Sequence, residues 1–141
     1  MKKTFLIACF ELSLLCFYIS LSLLLNSCTL EENKSYLRAV NNSFNANYED
    51  VITNIYLCEG ATNDNYVSVW NGKLRPGEST KFEIDSGKYG VKFTGTRCYN
   101  SGIEKTIDVA TGYKEPVKFD NRYTVRVTFD GNGIVAREEE D

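Results

Sequence analysis

The chain has no histidine. That single absence removes the commonest general base and the commonest imidazole metal ligand. A triad built on histidine is excluded with it. There is also no G-x-x-x-x-G-K phosphate cradle, no C-x-x-C spacing and no internal repeat. No amphipathic helical pattern of useful length is found. Basic stripes are missing from the sequence, and the formal net charge is −3. Affinity for nucleic acid comes mostly from neutralising phosphates, so no nucleic acid is expected as a partner.

What is present is an ordinary globular composition. Of 141 residues, 43% are hydrophobic, 13% aromatic and 25% charged, enough for one domain with a real core after a leader is set aside. The leader is written in the first residues. Lys2 and Lys3 give a positive start, Phe5 to Phe10 is apolar, and Glu11 is read as the end of an extended n-region. Leu12 to Leu25 (LSLLCFYISLSLLL) then forms the apolar core of an export signal. The competing reading is an uncleaved helix, because Phe5 to Leu25 is about long enough to span a bilayer.

Leu25-Asn26-Ser27-Cys28 closes that core. It resembles the lipobox of bacterial lipoproteins: Leu three positions before the cut, a small residue just before it, then the cysteine. Asn26 departs from the small or apolar residue usual at its place. The resemblance covers only the leader and Cys28. It implies that Cys28 carries a diacylglyceryl group, that residues 1–27 are removed, and that the new amino terminus is acylated. Several acyl chains give stable anchoring where one gives only marginal binding. The polar segment Thr29 to Ser35 suits a tether. By the sorting habit of such lipoproteins, Thr29 rather than Asp after the cysteine implies the outer membrane.

The five cysteines sort accordingly. Cys9 and Cys16 leave with the leader, and Cys28 is the lipid site. Cys58 and Cys98 remain in an oxidising compartment, where they are expected to form a disulfide. Both lie at expected strand ends, so the bond would staple two loops at one end of the fold. The rival reading is a metal or redox site, although two thiols do not fill a zinc sphere.

Beyond the tether the apolar period is two. Tyr89, Val91 and Phe93 alternate with Lys88, Gly90 and Lys92; Tyr123, Val125, Val127 and Phe129 alternate with Arg122, Thr124, Arg126 and Thr128. Ile103, Ile107 and Val109 form a third such set, and Phe82 and Ile84 flank Glu83. Each set reads as a strand with one apolar and one wet face. Tyr36–Val40, Val51–Cys58, Tyr66–Trp70 and Ile134–Arg137 are further candidates. Arg75-Pro76-Gly77-Glu78, Asp85-Ser86-Gly87 and Asp130-Gly131-Asn132-Gly133 supply turn chemistry. The pattern predicts an all-β fold, an antiparallel β-sandwich of about seven or eight strands, Ig-like or transthyretin-like. An open barrel is the alternative. Val69 to Thr96 also resembles a segment of exported bacterial sandwich modules, in which a Pro-Gly-Glu-Ser turn precedes a Gly-Lys-Tyr hairpin. That likeness implies structure and no activity.

Candidates for chemistry are few. Ser79 and Lys81 stand at i, i+2, which on a strand reads as two solvent-facing side chains. Glu78, Glu83, Asp85, Glu104 and Asp108 could pair for glycoside hydrolysis, but no local motif marks a pair. Thr62-Asn63-Asp64-Asn65 and Asp130-Gly131-Asn132-Gly133 are oxygen-rich enough for calcium, yet turns use the same residues for backbone reasons. Tyr66 and Trp70 share a side of their strand with Ser68, and would form a sugar- or protein-gripping platform if that side is wet.

The expected organisation is a lipoprotein signal peptide (1–27), a lipid-anchored tether (28–35), the sandwich (36–137) and a solvated acidic tail (138–141). The expected role is non-enzymatic binding or structural service at the bacterial envelope. The membrane lipid is held through Cys28, and a protein or carbohydrate is the candidate partner. No metal and no cofactor are expected. The alternatives are an adhesin module using Tyr66 and Trp70, and a small hydrolase using surface carboxylates.

Overall fold

Period-two alternation becomes strand almost wherever it occurs. A computed structural model describes residues 33–59, 65–111 and 116–139. The leader, Cys28 and most of the tether lie outside the described residues. Nine strands are found among them: β1 (Lys34–Asn41), β2 (Tyr48–Glu59), β3 (Val67–Leu74), β4 (Ser79–Asp85), β5 (Gly87–Tyr99), β6 (Glu104–Ala110), β7 (Val117–Phe119), β8 (Thr124–Phe129) and β9 (Ile134–Glu139). They form two sheets, β4-β1-β8-β9 and β3-β2-β5-β6, with β7 also paired to β5. β6 lies along Lys92–Cys98 and β7 along Gly87–Tyr89, so the two are one strand position interrupted by an excursion.

The expected all-β sandwich is therefore the fold, with differences of detail. One pair is parallel: β1 runs alongside β8, Leu37 opposite Val125 and Ala39 opposite Val127. The whole second sheet serves as the long connection that a parallel pair requires. The strand β7, only three residues long, is too short to show a period. β1 starts at Lys34, two residues before the expected boundary, and Ser35 is already buried. Glu138 and Glu139 are not a frayed tail but the end of β9, opposite Val125 and Thr124.

The segment expected to be a hairpin is not one. β3 pairs with β2, β4 with β1, and β5 with β2. The Arg75–Glu78 turn thus carries the chain from the second sheet to the first, and Asp85–Gly87 carries it back. Gly77, at φ 86°, provides the left-handed residue of the first crossing. The Asp130–Gly133 hairpin joins β8 to β9 as expected, with Phe129 opposite Ile134.

The core lies between the sheets. Leu37, Ala39, Val125, Val127 and Phe129 face it from the first; Ile52, Ile55, Val91, Phe93 and Phe119 face it from the second. Burying each large apolar side chain contributes about 1.5–3 kcal/mol. The expected inward row in β8 holds from Val125 on, whereas Tyr123 precedes the strand and is 53% exposed.

One end of the core is polar. Asp50 is fully buried, and its carboxylate accepts from Arg97 Nε at 2.7 Å and Nη2 at 2.9 Å. Arg97 Nη2 also donates to the Gly131 carbonyl at 2.6 Å, in the β8–β9 turn. The guanidinium sits 4.0 Å from the centroid of the Tyr48 ring, and Tyr99 meets that ring edge-on. The hydrogen bonds to Asp50 hold the Arg97 pKa above its already high ordinary value. Asn41, also fully buried, donates to the Asp50 and Leu74 carbonyls, and its side-chain oxygen accepts from Ser43 N and Oγ. Every polar atom of that amide is used.

Removing Asp50 strands an Arg97 side chain that is 21% exposed, so the cost is about 2–3 kcal/mol rather than that of a fully buried charge, whereas replacing both with apolar groups is often neutral. Asp50→Ala is expected to lower unfolding free energy by about that amount in urea titrations. Asp50→Leu combined with Arg97→Met is expected to recover most of it. A loss below about 1 kcal/mol for the single variant would contradict the assignment.

Candidate functional site

The two cysteines of the domain do not meet. Cys58 stands opposite Gly90, and Cys98 lies eight residues further along β5. At about 3.3 Å per residue that is roughly 26 Å, against the 4.4–6.8 Å or so between Cα atoms that a disulfide spans. The expected bond is therefore absent, and both side chains are thiols. The inference failed because β2 and β5 run antiparallel over their full length. Cys58 is at the end of β2 where β5 begins; Cys98 is where β5 ends.

Tyr66 and Trp70 do not share a face either. Trp70 pairs with Ile55, but Ser68 pairs with Tyr56, so Val69 is an extra residue in β3. Such a bulge reverses the alternation. Trp70 consequently packs against the core beside Gly72. Tyr66 falls on the outer face, where its hydroxyl lies over Gly90 and its ring beneath Lys92. The expected two-aromatic platform is not assembled.

The carboxylates proposed for hydrolysis have local partners. Glu78 accepts from Arg75 N within its own turn. Glu83 and Asp85 both face Lys34 Nζ, at 3.7 and 2.9 Å, and Asp108 pairs with Lys92 at 3.0 Å. Ser79 and Lys81 are both exposed on β4, as their spacing implied. In the Asp130–Gly133 loop, Asp130 Oδ1 accepts from Asn132 N and Gly133 N, each at 2.9 Å. These bonds hold the Asp130 carboxyl below its ordinary range. Asp130 Oδ1 is thus already used in closing the turn. No cluster of three or more metal-ligating side chains occurs among the described residues. Of the other oxygen-rich loop, residues 62–64 lie outside the described residues.

A cavity of about 770 Å³ lies between the edge strands β3 and β4. Leu57, Ile84, Tyr89, Val67 and Val69 give it apolar walls, and Lys34 lines it together with Glu59, Glu83 and Asp85. Val67 is 66% exposed there. Tyr89 is fixed edge-on against Phe119 at 5.9 Å. Burial raises its hydroxyl pKa, with Glu59 and Asp85 adding to the shift. It therefore remains a protonated donor at neutral pH. The cleft suits a ligand with an apolar body and a polar end, because Lys34 already faces Glu83 and Asp85 at its rim. Tyr89 and Ile84 were legible only as inward residues, since the cleft arises from which strands end up at the sheet edges.

No family model, curated protein or solved structure matches this chain.

Two outcomes follow from this geometry. Copper-phenanthroline oxidation of the native protein is expected to give no Cys58–Cys98 crosslink in peptide mass spectra; a crosslinked peptide in native monomer would refute the strand register. Asp130 has a folded-state pKa below its unfolded value, so its contribution is present above the ordinary aspartate range and is lost as pH falls through the folded value. The stability difference between the native chain and Asp130→Asn should thus shrink on acidification below about pH 4. A difference constant with pH would exclude this titration.

Proposed function

We propose that this chain is a membrane-anchored bacterial lipoprotein whose sandwich has a non-enzymatic binding or structural role at the cell envelope. The observation that carries the reading is Leu25-Asn26-Ser27-Cys28 at the end of an apolar run. Lys34, six residues after Cys28, opens β1, which leaves a short polar tether between lipid and folded domain. The lipid would be attached at the Cys28 sulfur, and Thr29 favours the outer membrane as the address.

A second reading, a module that binds a protein or carbohydrate, is favoured by the β3–β4 cleft and by exposed Val67 and Val69. It no longer rests on Tyr66 and Trp70 acting together. The hydrolase reading receives no comparable support, because Lys34 bridges Glu83 and Asp85, two of the three carboxylates lining the cleft.

Intact mass of the membrane-extracted protein tests the anchor. The expected species begins at Cys28 and carries the mass of two or three acyl chains, and Cys28→Ser is expected to abolish both acylation and leader removal. Recovery of the native chain with residues 1–27 attached and the Cys28 sulfur bare would overturn the proposal.

A further inference from the structure

The first sheet collects on its outer face what the sequence scatters. Arg38 of β1 stands opposite Lys81 of β4 and opposite Arg126 of β8, and Arg126 stands opposite Arg137 of β9. Four successive strands thus each place one cation at the same level. With strands about 4.8 Å apart, the row spans roughly 14 Å at right angles to the chain direction. Like charges directly opposite one another destabilise a sheet. Compensation is partial: Glu139 Oε1 lies 3.2 Å from Arg38 and 3.7 Å from Arg126. Lys81 lies 4.9 Å over the ring of Tyr36, and Arg137 has no carboxylate partner among the described residues. A shallow cavity of about 260 Å³ opens beside the row, lined by Arg126, Thr128, Val135 and Arg137.

We propose that this row binds a linear anionic polysaccharide lying across the strands. Its shape favours a thin ligand over a plane of lipid headgroups, because the row is one residue deep and the face beyond it is of mixed charge, with Glu83 and Asp85 around Lys34. The flanking row on the cavity side is Ser79, Val40, Thr128 and Val135, an alternation of hydroxyl and apolar groups. That alternation matches sugar rings, which present hydroxyls and C–H surfaces together. Single-stranded nucleic acid would want a run of stacking aromatics, and the face offers only Tyr36 among its described residues.

The proposal does not depend on the lipid anchor, and its test does not read acylation. Full-length protein in neutral-detergent micelles is applied to immobilised polygalacturonate and dextran sulfate, with neutral dextran as control. Retention on both polyanions, weakening with salt, is expected. Arg126→Gln with Arg137→Gln is expected to lower affinity on the order of tenfold. Lys88→Gln with Lys118→Gln, which removes equal charge from the other sheet, is expected to change it little. The unliganded Arg126/Arg137 variant should melt no lower than the native chain, since the lost charges repel. Absence of retention, equal loss in both double variants, or tighter capture by phosphatidylglycerol-containing vesicles or by oligothymidylate would overturn the proposal.

Discussion

The pairing of fully buried Asp50 with Arg97 is the constraint around which the sandwich is arranged. A carboxylate removed from water is tolerable only when its charge and its lone pairs are met. Here the same guanidinium meets Asp50 and the Gly131 carbonyl, tying β2 and β5 to the β8–β9 turn. The neighbouring Asn41 amide adds β1 and the end of β3 to the cluster. Both sheets are therefore clamped at one end by directional bonds, while the rest of their contact is non-directional apolar burial. The polar end fixes how the sheets are placed, and the apolar middle supplies most of the favourable free energy.

That clamp requires an irregularity in β2. Asp50 and Ile55 both face inward although they are five residues apart, an odd separation that a regular strand would put on opposite faces. The register shift between Ile52 and Asn54 corrects the parity. Gly95 permits it from across the pair: a Cβ there would collide with the Val51 carbonyl oxygen and crowd Ile52. A second bulge, at Val69, turns Trp70 inward and Tyr66 outward. These two bulges decide which side chains line the core and which reach the outer face.

Much of the fold could be read from the sequence, because alternation is a local property. Val125, Val127 and Phe129, or Tyr89, Val91 and Phe93, declare their inner face without reference to any partner. The Asp130–Gly133 turn was equally plain, since its residues meet their own backbone requirements. What failed depended on pairing. The expected Cys58–Cys98 bond assumed that two strand ends were the same end of the fold. The Tyr66–Trp70 platform assumed an unbroken period across a bulge. The supposed hairpin between β3 and β5 assumed that successive strands pair, whereas each crosses to the other sheet. β7 was missed because three residues beside a proline carry no period.

The cationic row extends this lesson to electrostatics. Charge along the chain is mixed and the total is −3, so no window of sequence shows a basic patch. Lys81, Arg38, Arg126 and Arg137 become neighbours only through three separate strand registers. A sheet selected for stability alone would alternate charge sign across those registers, as Lys34 does with Glu83 and Asp85 on the same face. The row departs from that rule in three successive pairings, with one shared carboxylate to offset them. Sequence rules that fail locally tend to do so where a site has requirements of its own. A polyanion would supply the charges the sheet withholds, turning three repulsive pairings into one continuous attraction.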